Sequence, residues 1–348
     1  MASGLQGFRA SGRDVVADSL RGLAIILVVF YHLITSVRHL NIDFTHSSCV
    51  YSFLASFHMP LFFMISGYVH GIKDRYEDGK GWLFHAKRDF AGLYIPCMIL
   101  SLIYFAIKYF LFSGNTMMND TPTLEELCAT PYMGLSLYWF LAALFFIKLL
   151  HLMFECRVKS MRVISFFWVI LFIMISLFRF CLPEFIARFS YGIYFHAGYV
   201  IQRKNLMPCG KHSCSFYGAV MILTGALCFL VPYVRGGADT FTRTVAAMCI
   251  SLGLFTVFYA LGIKTSFLSL CGVYSIMIYA LHSYAFVALK FAYKLLGMSS
   301  FIHPVASYVM GLLAGVMMPL LVVWVYKNVR CLRWIEYIFY PGKLFLRK

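Results

Sequence analysis

ADSLRGLAIILVVFYHLITSV, residues 17–37, is an apolar run that contains an aspartate, an arginine and a histidine. Asp18 and Arg21 lie at its start, and His32 lies inside it. A charge at the centre of a hydrocarbon-length segment costs on the order of 2.5 to 3.5 kcal/mol on insertion scales, so such residues usually serve a function. At about 100° per residue, His32 falls on the same helix face as Arg21, about 16 Å further along.

The composition assigns this stretch to a membrane protein. Hydrophobic residues make up 61% and charged residues 13% of the 348 positions, which excludes a soluble protein with several cores. Apolar stretches that match the hydrocarbon layer, which is about 30 Å thick, predict about ten spans. We predict an all-α, polytopic transmembrane helix bundle, a single domain over residues 1–348 with short cytoplasmic tails at 1–17 and 327–348. The predicted spans are 18–37, 50–70, 90–112, 136–154, 163–182, 186–202, 215–234, 243–262, 267–289 and 303–326.

Basic residues cluster in alternate loops, and this pattern sets the predicted orientation. The positive-inside rule assigns these loops to the cytoplasm, so both termini are predicted to be cytoplasmic. The net charge of +16 then reflects topology and contact with anionic membrane lipid, and we predict no nucleic-acid partner. The basic clusters lie at 9–13, 73–88, 157–162, 203–211 and 327–348.

The eleven cysteines lie mostly in apolar segments and are interpreted as small buried hydrophobes. Cys209, His212 and Cys214 lie close together in a predicted cytoplasmic loop and offer three zinc-ligand side chains. Their spacing matches no standard zinc motif. We therefore predict no metal.

The second span contains SFHMPLFFMISGYVHG, residues 56–71. His58 stands close to Pro60, and a proline inside a membrane helix frees a backbone carbonyl, which is tolerated next to a polar cavity. His58 is interpreted either as a cavity residue that binds substrate or as an interfacial histidine. The small Ser66–Gly67 pair is typical of close helix packing.

Two further groups are candidates for substrate binding. Four small or polar residues of the ninth span follow one another at steps of three, four and three, so they share one helix face. The stripe consists of Gly272, Ser275, Tyr279 and His282. It either lines a cavity opposite the first span or packs helices together. Tyr138 and Trp139 open the fourth span, where they either stack on a sugar or belong to the interfacial aromatic belt.

These motifs carry a resemblance to a known family. DSLRGLAIILVVFYH, with ten residues between Arg21 and His32, and FHMPLFFMISGY after it resemble the start of the acyltransferase-3 family of integral membrane O-acyltransferases. Within that family they are similar to the fucose 4-O-acetylase-like branch, which acetylates cell-surface sugars. SLYWFLAALFFIKLL, residues 136–150, and CGVYSIMIYALHSY, residues 271–284, resemble later family signatures.

The resemblance implies transfer of an acyl group, usually acetyl, from cytoplasmic acetyl-CoA or another short acyl-CoA to a hydroxyl of a cell-surface or exported carbohydrate. It also implies a multi-pass protein of a bacterial inner membrane. The family's first-span histidine is essential in catalysis and the preceding arginine contributes to the site, which implies these roles for His32 and Arg21. The family's Arg-x-x-Arg pair, associated with the donor, is missing; HAKRDFAGLYIP stands there, with Lys87 and Arg88 as candidate donor contacts.

Elementary chemistry is compatible with these roles. Acyl transfer from a thioester to an alcohol needs a base, and histidine titrates near neutrality. His32 either deprotonates the acceptor or first accepts the acyl group itself. Arg21 suits phosphate recognition with Asp18 as its orienting partner, and the alternative for this pair is an interfacial salt bridge. The rival function is an exporter of glycans or lipid-linked sugars, although the paired broken helices of transporters are not evident.

Overall fold

Helices make up the regular structure of the described part of the chain. The computed structural model describes residues 14–38, 47–72, 81–111, 122–158, 160–207, 211–235, 240–296 and 304–342. Within these ranges no strand occurs, which confirms the predicted all-α bundle. The α-helices are α1 (Val15–Arg38), α2 (Ser47–Ile72), α3 (Trp82–Asp89), α4 (Ile95–Ala106), α5 (Leu124–Met133), α6 (Trp139–Val158), α7 (Met161–Leu177), α8 (Glu184–Ala187), α9 (Gly192–Arg203), α10 (Ser213–Val234), α11 (Thr240–Leu261), α12 (Ser266–Val273), α13 (Ser275–Leu295), α14 (Pro304–Asn328) and α15 (Ile335–Phe339).

Eight helical stretches among the described residues are long and apolar enough to cross a bilayer. The fifth and sixth predicted spans are shorter than expected. The fifth corresponds to α7, with 17 residues, and the sixth is built from α8, the 3-10 turn Arg188–Tyr191 and α9. Pro183, which precedes α8, has an extended backbone, so the chain turns there. The total of ten crossings and the cytoplasmic position of both termini stay predictions.

The first helix lies in the interior of the bundle. It packs against α2, α11, α12, α13 and α14, and Leu20, Ala24, Ile25, Val28 and Val29 on it are at most 1% exposed. A polar group at membrane depth needs a protein partner or a water-filled cavity. The position of α1 therefore turns its polar stripe toward other helices and away from lipid.

Two glycines let α1 and α12 approach each other closely. A Cβ atom at Gly22 would lie 1.9 Å from the backbone oxygen of Leu268. A Cβ atom at Gly272 would likewise lie 1.9 Å from the backbone oxygen of Asp18. Only a residue without a side chain fits at either position, so the two backbones are in direct contact here.

Gly67 of the Ser66–Gly67 pair on α2 has the packing role predicted for it. A Cβ atom at Gly67 would lie 1.8 Å from the backbone oxygen of Phe195 on α9. Pro60 lies inside α2, and the helix continues through it from Ser47 to Ile72.

The prediction of one continuous ninth span is wrong, because the chain leaves the helical conformation at Tyr274 (φ −99°, ψ 20°). The amine of Lys327 on α14 donates a hydrogen bond to the Tyr274 hydroxyl and lies 4.8 Å from its ring centroid. The predicted stripe is therefore divided between two helices. Gly272 packs α12 against α1, whereas the residues from Ser275 onward belong to α13.

The segment after α14 folds back onto the bundle. α15 lies within the predicted tail 327–348, and the Tyr340 hydroxyl donates a hydrogen bond of 3.4 Å to the carbonyl oxygen of Val273. A Cβ atom at Gly342 would lie 3.9 Å from the Cα of Gly92. The predicted tail is thus packed structure as far as residue 342, and the rest of it lies outside the described residues.

Large apolar side chains cover the outward faces of three helices. On α7, α10 and α14 the following side chains are each more than half exposed: Phe166, Leu177, Phe216, Leu223, Leu227, Leu313, Leu321 and Trp324. Contiguous exposed apolar surface of this extent marks contact with a membrane or a partner. Together with the eight long apolar helices it supports a multi-pass membrane protein.

We expect Gly272→Ala to destabilise the protein, because the added methyl group would collide with the backbone of Asp18. Overpacking of this kind typically costs about 1–3 kcal/mol. Reversible unfolding of the purified protein in mixed detergent micelles measures the change. Gly92→Ala is the matched control, since a Cβ atom there meets nothing within 4 Å. Equal stability of the two variants would contradict the close contact between α1 and α12.

Candidate active site

His32 and His282 meet at the floor of a cavity between α1 and α13. The centroids of their imidazole rings lie 5.2 Å apart, and both residues line a cavity of about 370 Å³. Thr35 and Ser36, the next turn of α1, also line it, so it lies toward the end of α1 opposite Arg21. The predicted topology assigns that end to the outer side. The other polar residues of the lining are Lys108, Glu126, Ser136, Ser283 and Lys290.

The imidazole of His282 has a defined tautomer. Its Nδ1 lies 2.8 Å from the carbonyl oxygen of Tyr279 and 3.1 Å from that of Ile278. A carbonyl oxygen only accepts hydrogen bonds, so Nδ1 donates and the neutral ring keeps its lone pair on Nε2. Nε2 is buried and has no hydrogen-bond partner within the described residues. His282 therefore offers a hydrogen-bond acceptor beside His32.

His58 lies one layer away from this cavity. Its Nδ1 donates a hydrogen bond of 2.6 Å to the carbonyl oxygen of Leu54, and its ring stacks on Tyr31 with centroids 4.5 Å apart. The Tyr31 hydroxyl in turn lies 2.6 Å from the hydroxyl of Tyr51. His58 is only 5% exposed, so the interfacial interpretation is wrong. The ring of Tyr31 also contacts the ring of His32 edge-on. His58 is therefore connected to His32 through Tyr31 and does not itself line the cavity.

Asp18 and Arg21 form the ion pair expected at the other end of α1. Oδ1 of Asp18 lies 3.2 Å from Nη1 of Arg21, and the Arg21 side chain keeps 23% of its surface exposed. Tyr340 of the C-terminal segment is close by: burial is the main cause that raises the pKa of its phenol, and the charge of Arg21 opposes this rise. Arg21 is thus a partly accessible cation at the end of the bundle away from the cavity.

A small apolar void separates the Arg21 end from the cavity. Its volume is about 30 Å³, and Ile25 and Val28 of α1 line it, one and two turns after Arg21. Ser275 and Tyr279, two of the predicted substrate-binding residues, line the same void. Of the predicted stripe, only His282 reaches the cavity.

Tyr138 and Trp139 lie beside the cavity and not in it. Tyr138 is 1% exposed, and its hydroxyl donates a hydrogen bond of 3.3 Å to the carbonyl oxygen of Ala280. The aromatic-belt interpretation is therefore wrong for Tyr138, because its ring is enclosed by other helices and its hydroxyl bonds to α13. Trp139 lies under the guanidinium of Arg188, 5.0 Å from the ring centroid. Residues 135–137 just before them line the cavity.

The predicted donor contacts lie on α3, away from the cavity. Lys87 is exposed and Arg88 is half-buried, while the adjacent Asp89 is buried and accepts a 2.9 Å hydrogen bond from Lys148. Their role in donor binding stays a prediction. The three-ligand zinc group also stays open, because Cys209 lies outside the described residues.

The sequence interpretation missed a buried polar cluster in which residues of α2, α6 and α9 meet. Glu155 accepts hydrogen bonds from Nε2 of His70 (3.0 Å) and from the Tyr199 hydroxyl (2.7 Å). Ligand atoms of His70, His151 and Glu155 lie within 4.8 Å of one another, which is a geometry that metals use. The indole N–H of Trp168 donates to Nδ1 of His151 at 3.0 Å. The neutral ring of His151 therefore has no second lone pair, and the cluster fits a hydrogen-bond network better than a cation.

The separation of these residues along the chain explains why they were missed. The spacing of His151 and Glu155, four residues apart on one helix face, is the signal that could have found half of the cluster. His70 joins it only through the packing of α2 against its neighbours, which periodicity does not reveal.

We expect Glu155→Gln to lower the free energy of unfolding by about 2 kcal/mol or more. The amide would keep one acceptor oxygen and turn an N–H₂ group toward groups that now donate to the carboxylate, and buried charged hydrogen bonds are costly to break. Unfolding in mixed micelles checks this. Glu125→Gln is the control, since Glu125 is exposed on α5. A Glu155→Gln protein as stable as the control would refute the network.

Comparison with known proteins agrees with the geometry. A family model described as an acyltransferase domain matches residues 15–326. The nodulation protein NolL of Sinorhizobium fredii is 43% identical over 60 residues, which make up 17% of this chain and 16% of NolL. The chain therefore aligns with only about a sixth of that relative's length. No solved structure matches the chain.

Proposed function

Because this chain belongs to the acyltransferase-3 family and is an acyl-transferring enzyme, we propose that it is a membrane O-acetyltransferase of a bacterial inner membrane. It transfers an acyl group, specifically acetyl, from cytoplasmic acyl-CoA to a hydroxyl of a carbohydrate on the outer side of that membrane. The observation that carries the proposal is the contact of His32 with His282, with ring centroids 5.2 Å apart, in a cavity at the end of α1 opposite Arg21. The similarity to the fucose 4-O-acetylase-like branch supports acetyl as the group and a sugar as the acceptor.

The two ends of α1 have different chemistry, which supports separate entry of donor and acceptor. Arg21 is a partly exposed cation, suited to a CoA phosphate. The void beside Ile25 and Val28 lies between Arg21 and His32, where the thioester arm of the donor would pass. The cavity at the other end has room for a sugar and presents hydroxyls and amines to it.

In the proposed reaction the acceptor oxygen bonds to the acyl carbon, and the bond between that carbon and the CoA sulfur breaks. A ring nitrogen of His32 takes the hydroxyl proton and passes it to the leaving thiolate. Nε2 of His282 accepts a hydrogen bond from a second hydroxyl of the sugar and orients it. In the two-step version a ring nitrogen of His32 first bonds to the acyl carbon as the bond between that carbon and the CoA sulfur breaks, and the thiolate leaves with the proton of the other ring nitrogen. The acceptor oxygen then bonds to the acyl carbon as the bond between that carbon and the His32 nitrogen breaks, and His32 regains a proton from the hydroxyl.

We expect His32→Ala to reduce transfer of label from radiolabelled acetyl-CoA to surface glycan by at least about 10²-fold, since general-base catalysis typically contributes about 10² to 10⁴. His212→Ala is the matched control, because His212 is exposed at the start of α10. Label transfer at the full rate by His32→Ala would overturn the role of His32. Export of glycan without any label transfer by the wild type would favour the exporter.

The same preparation distinguishes the one-step from the two-step reaction. Protein incubated with labelled acetyl-CoA in the absence of acceptor will carry label if His32 is acylated, and this label will be missing in His32→Ala. Wild-type protein that transfers acetyl but never carries label reacts in one step.

We expect Arg21→Met to raise the KM for acetyl-CoA about tenfold or more, because a charged hydrogen bond to phosphate is worth about 1.5–3 kcal/mol. Arg157→Met is the control, since Arg157 is an exposed arginine at the end of α6 on the same predicted side. Steady-state kinetics with varied acetyl-CoA checks this. An unchanged KM for Arg21→Met would leave Arg21 with a topological role only.

A further inference from the structure

A buried lysine projects from α13 into the candidate cavity. Lys290 lines it and is 8% exposed. It lies two helical turns, about 12 Å, beyond His282 toward the predicted outer side. Within the described residues, Lys290 forms no hydrogen bond or ion pair. Lys294, one turn further on, is exposed, so the burial of Lys290 does not simply follow from its place near the end of the helix.

A second lysine, from the turn that follows α4, lines the same cavity. Lys108, in the π-helical turn Ile107–Leu111, is 7% exposed, and its ammonium group lies 5.0 Å from the ring centroid of Tyr104. The acid in the described lining is Glu126, whose carboxylate is exposed and caps α5 by accepting from the backbone N–H of Thr123 at 3.0 Å. The described lining thus offers Lys290 no carboxylate that is not already engaged in a cap.

Holding an unpaired ammonium group away from water is costly, and the cost falls when an anion binds beside it. The geometry points to an anion-binding subsite above the histidines. Resting on the function proposed above, we propose that the acceptor carries a carboxylate or a phosphate, which Lys290 binds with Lys108 as a second cation, while the reacting hydroxyl lies at His32 and His282. The acceptor class is then an acidic or phosphorylated sugar.

The test compares glycosides that share one ring and differ in charge. Methyl β-D-glucoside is the neutral probe, methyl β-D-glucuronide is the carboxylate arm, and methyl β-D-glucoside 6-phosphate is the phosphate arm. The full chain in lipid nanodiscs is assayed by equilibrium dialysis of each labelled glycoside and by acetyl transfer from acetyl-CoA. We expect the wild type to bind at least one anionic probe about tenfold more tightly than the neutral probe.

The variants assign this preference to one side chain. Lys290→Met, of similar length without charge, is expected to remove the preference through a higher KM for the anionic acceptor at nearly unchanged kcat. Lys290→Arg is expected to keep the preference, and Lys294→Met, on the same helix but exposed, is the matched control.

Each outcome bears on the subsite separately from the enzyme activity. Equal binding of neutral and anionic probes by the wild type, or a charge preference that survives in Lys290→Met, would overturn the subsite. Charge-dependent binding that requires Lys290 without acetyl transfer would support the subsite and contradict the proposed function. Acetyl transfer to the neutral probe that is as efficient as transfer to the anionic probes would contradict the subsite and support the proposed function.

Discussion

The polar groups of the apolar helix α1 must be kept out of hydrocarbon, and this requirement dictates how the other helices pack around it. Asp18, Arg21 and His32 share a face of α1, and hydrocarbon cannot solvate them. The bundle meets this demand by surrounding α1 with five helices. At one end of this face Asp18 and Arg21 form an ion pair. At the other end His32 lines the cavity.

Close backbone contact makes this arrangement compatible with a functional site. Gly22 and Gly272 bring α12 directly against α1. The break at Tyr274 then lets α13 start in a new direction, and His282 reaches His32 two turns later. An unbroken ninth span would have joined the packing residue and the site residue into one rigid stripe. The break separates the two tasks.

Part of the fold and of the candidate site follows from the sequence for physical reasons. The periodicity of α1 and the 3.5-residue average spacing of Ser275, Tyr279 and His282 fix which residues share a face, and the structure brings His32 and His282 together. At the break, the Tyr274 hydroxyl accepts a hydrogen bond from Lys327 of α14, a contact that local sequence does not reveal. Gly134 with its positive φ ends α5, and the burial of Tyr138 a few residues later comes from contacts between helices. Lys108, Lys290 and the cluster around Glu155 become visible only when distant helices pack.

If donor and acceptor reach His32 from opposite ends of α1, as we propose, a reaction in which each substrate is confined to one side of the membrane detects it. Protein of known orientation is reconstituted into sealed vesicles, with labelled acetyl-CoA supplied only at the side of Arg21 and a membrane-impermeant glycan acceptor only at the cavity side. We expect acetylated glycan on the cavity side, and we expect none with His32→Ala. Transfer that requires donor and acceptor on the same side would contradict this expectation.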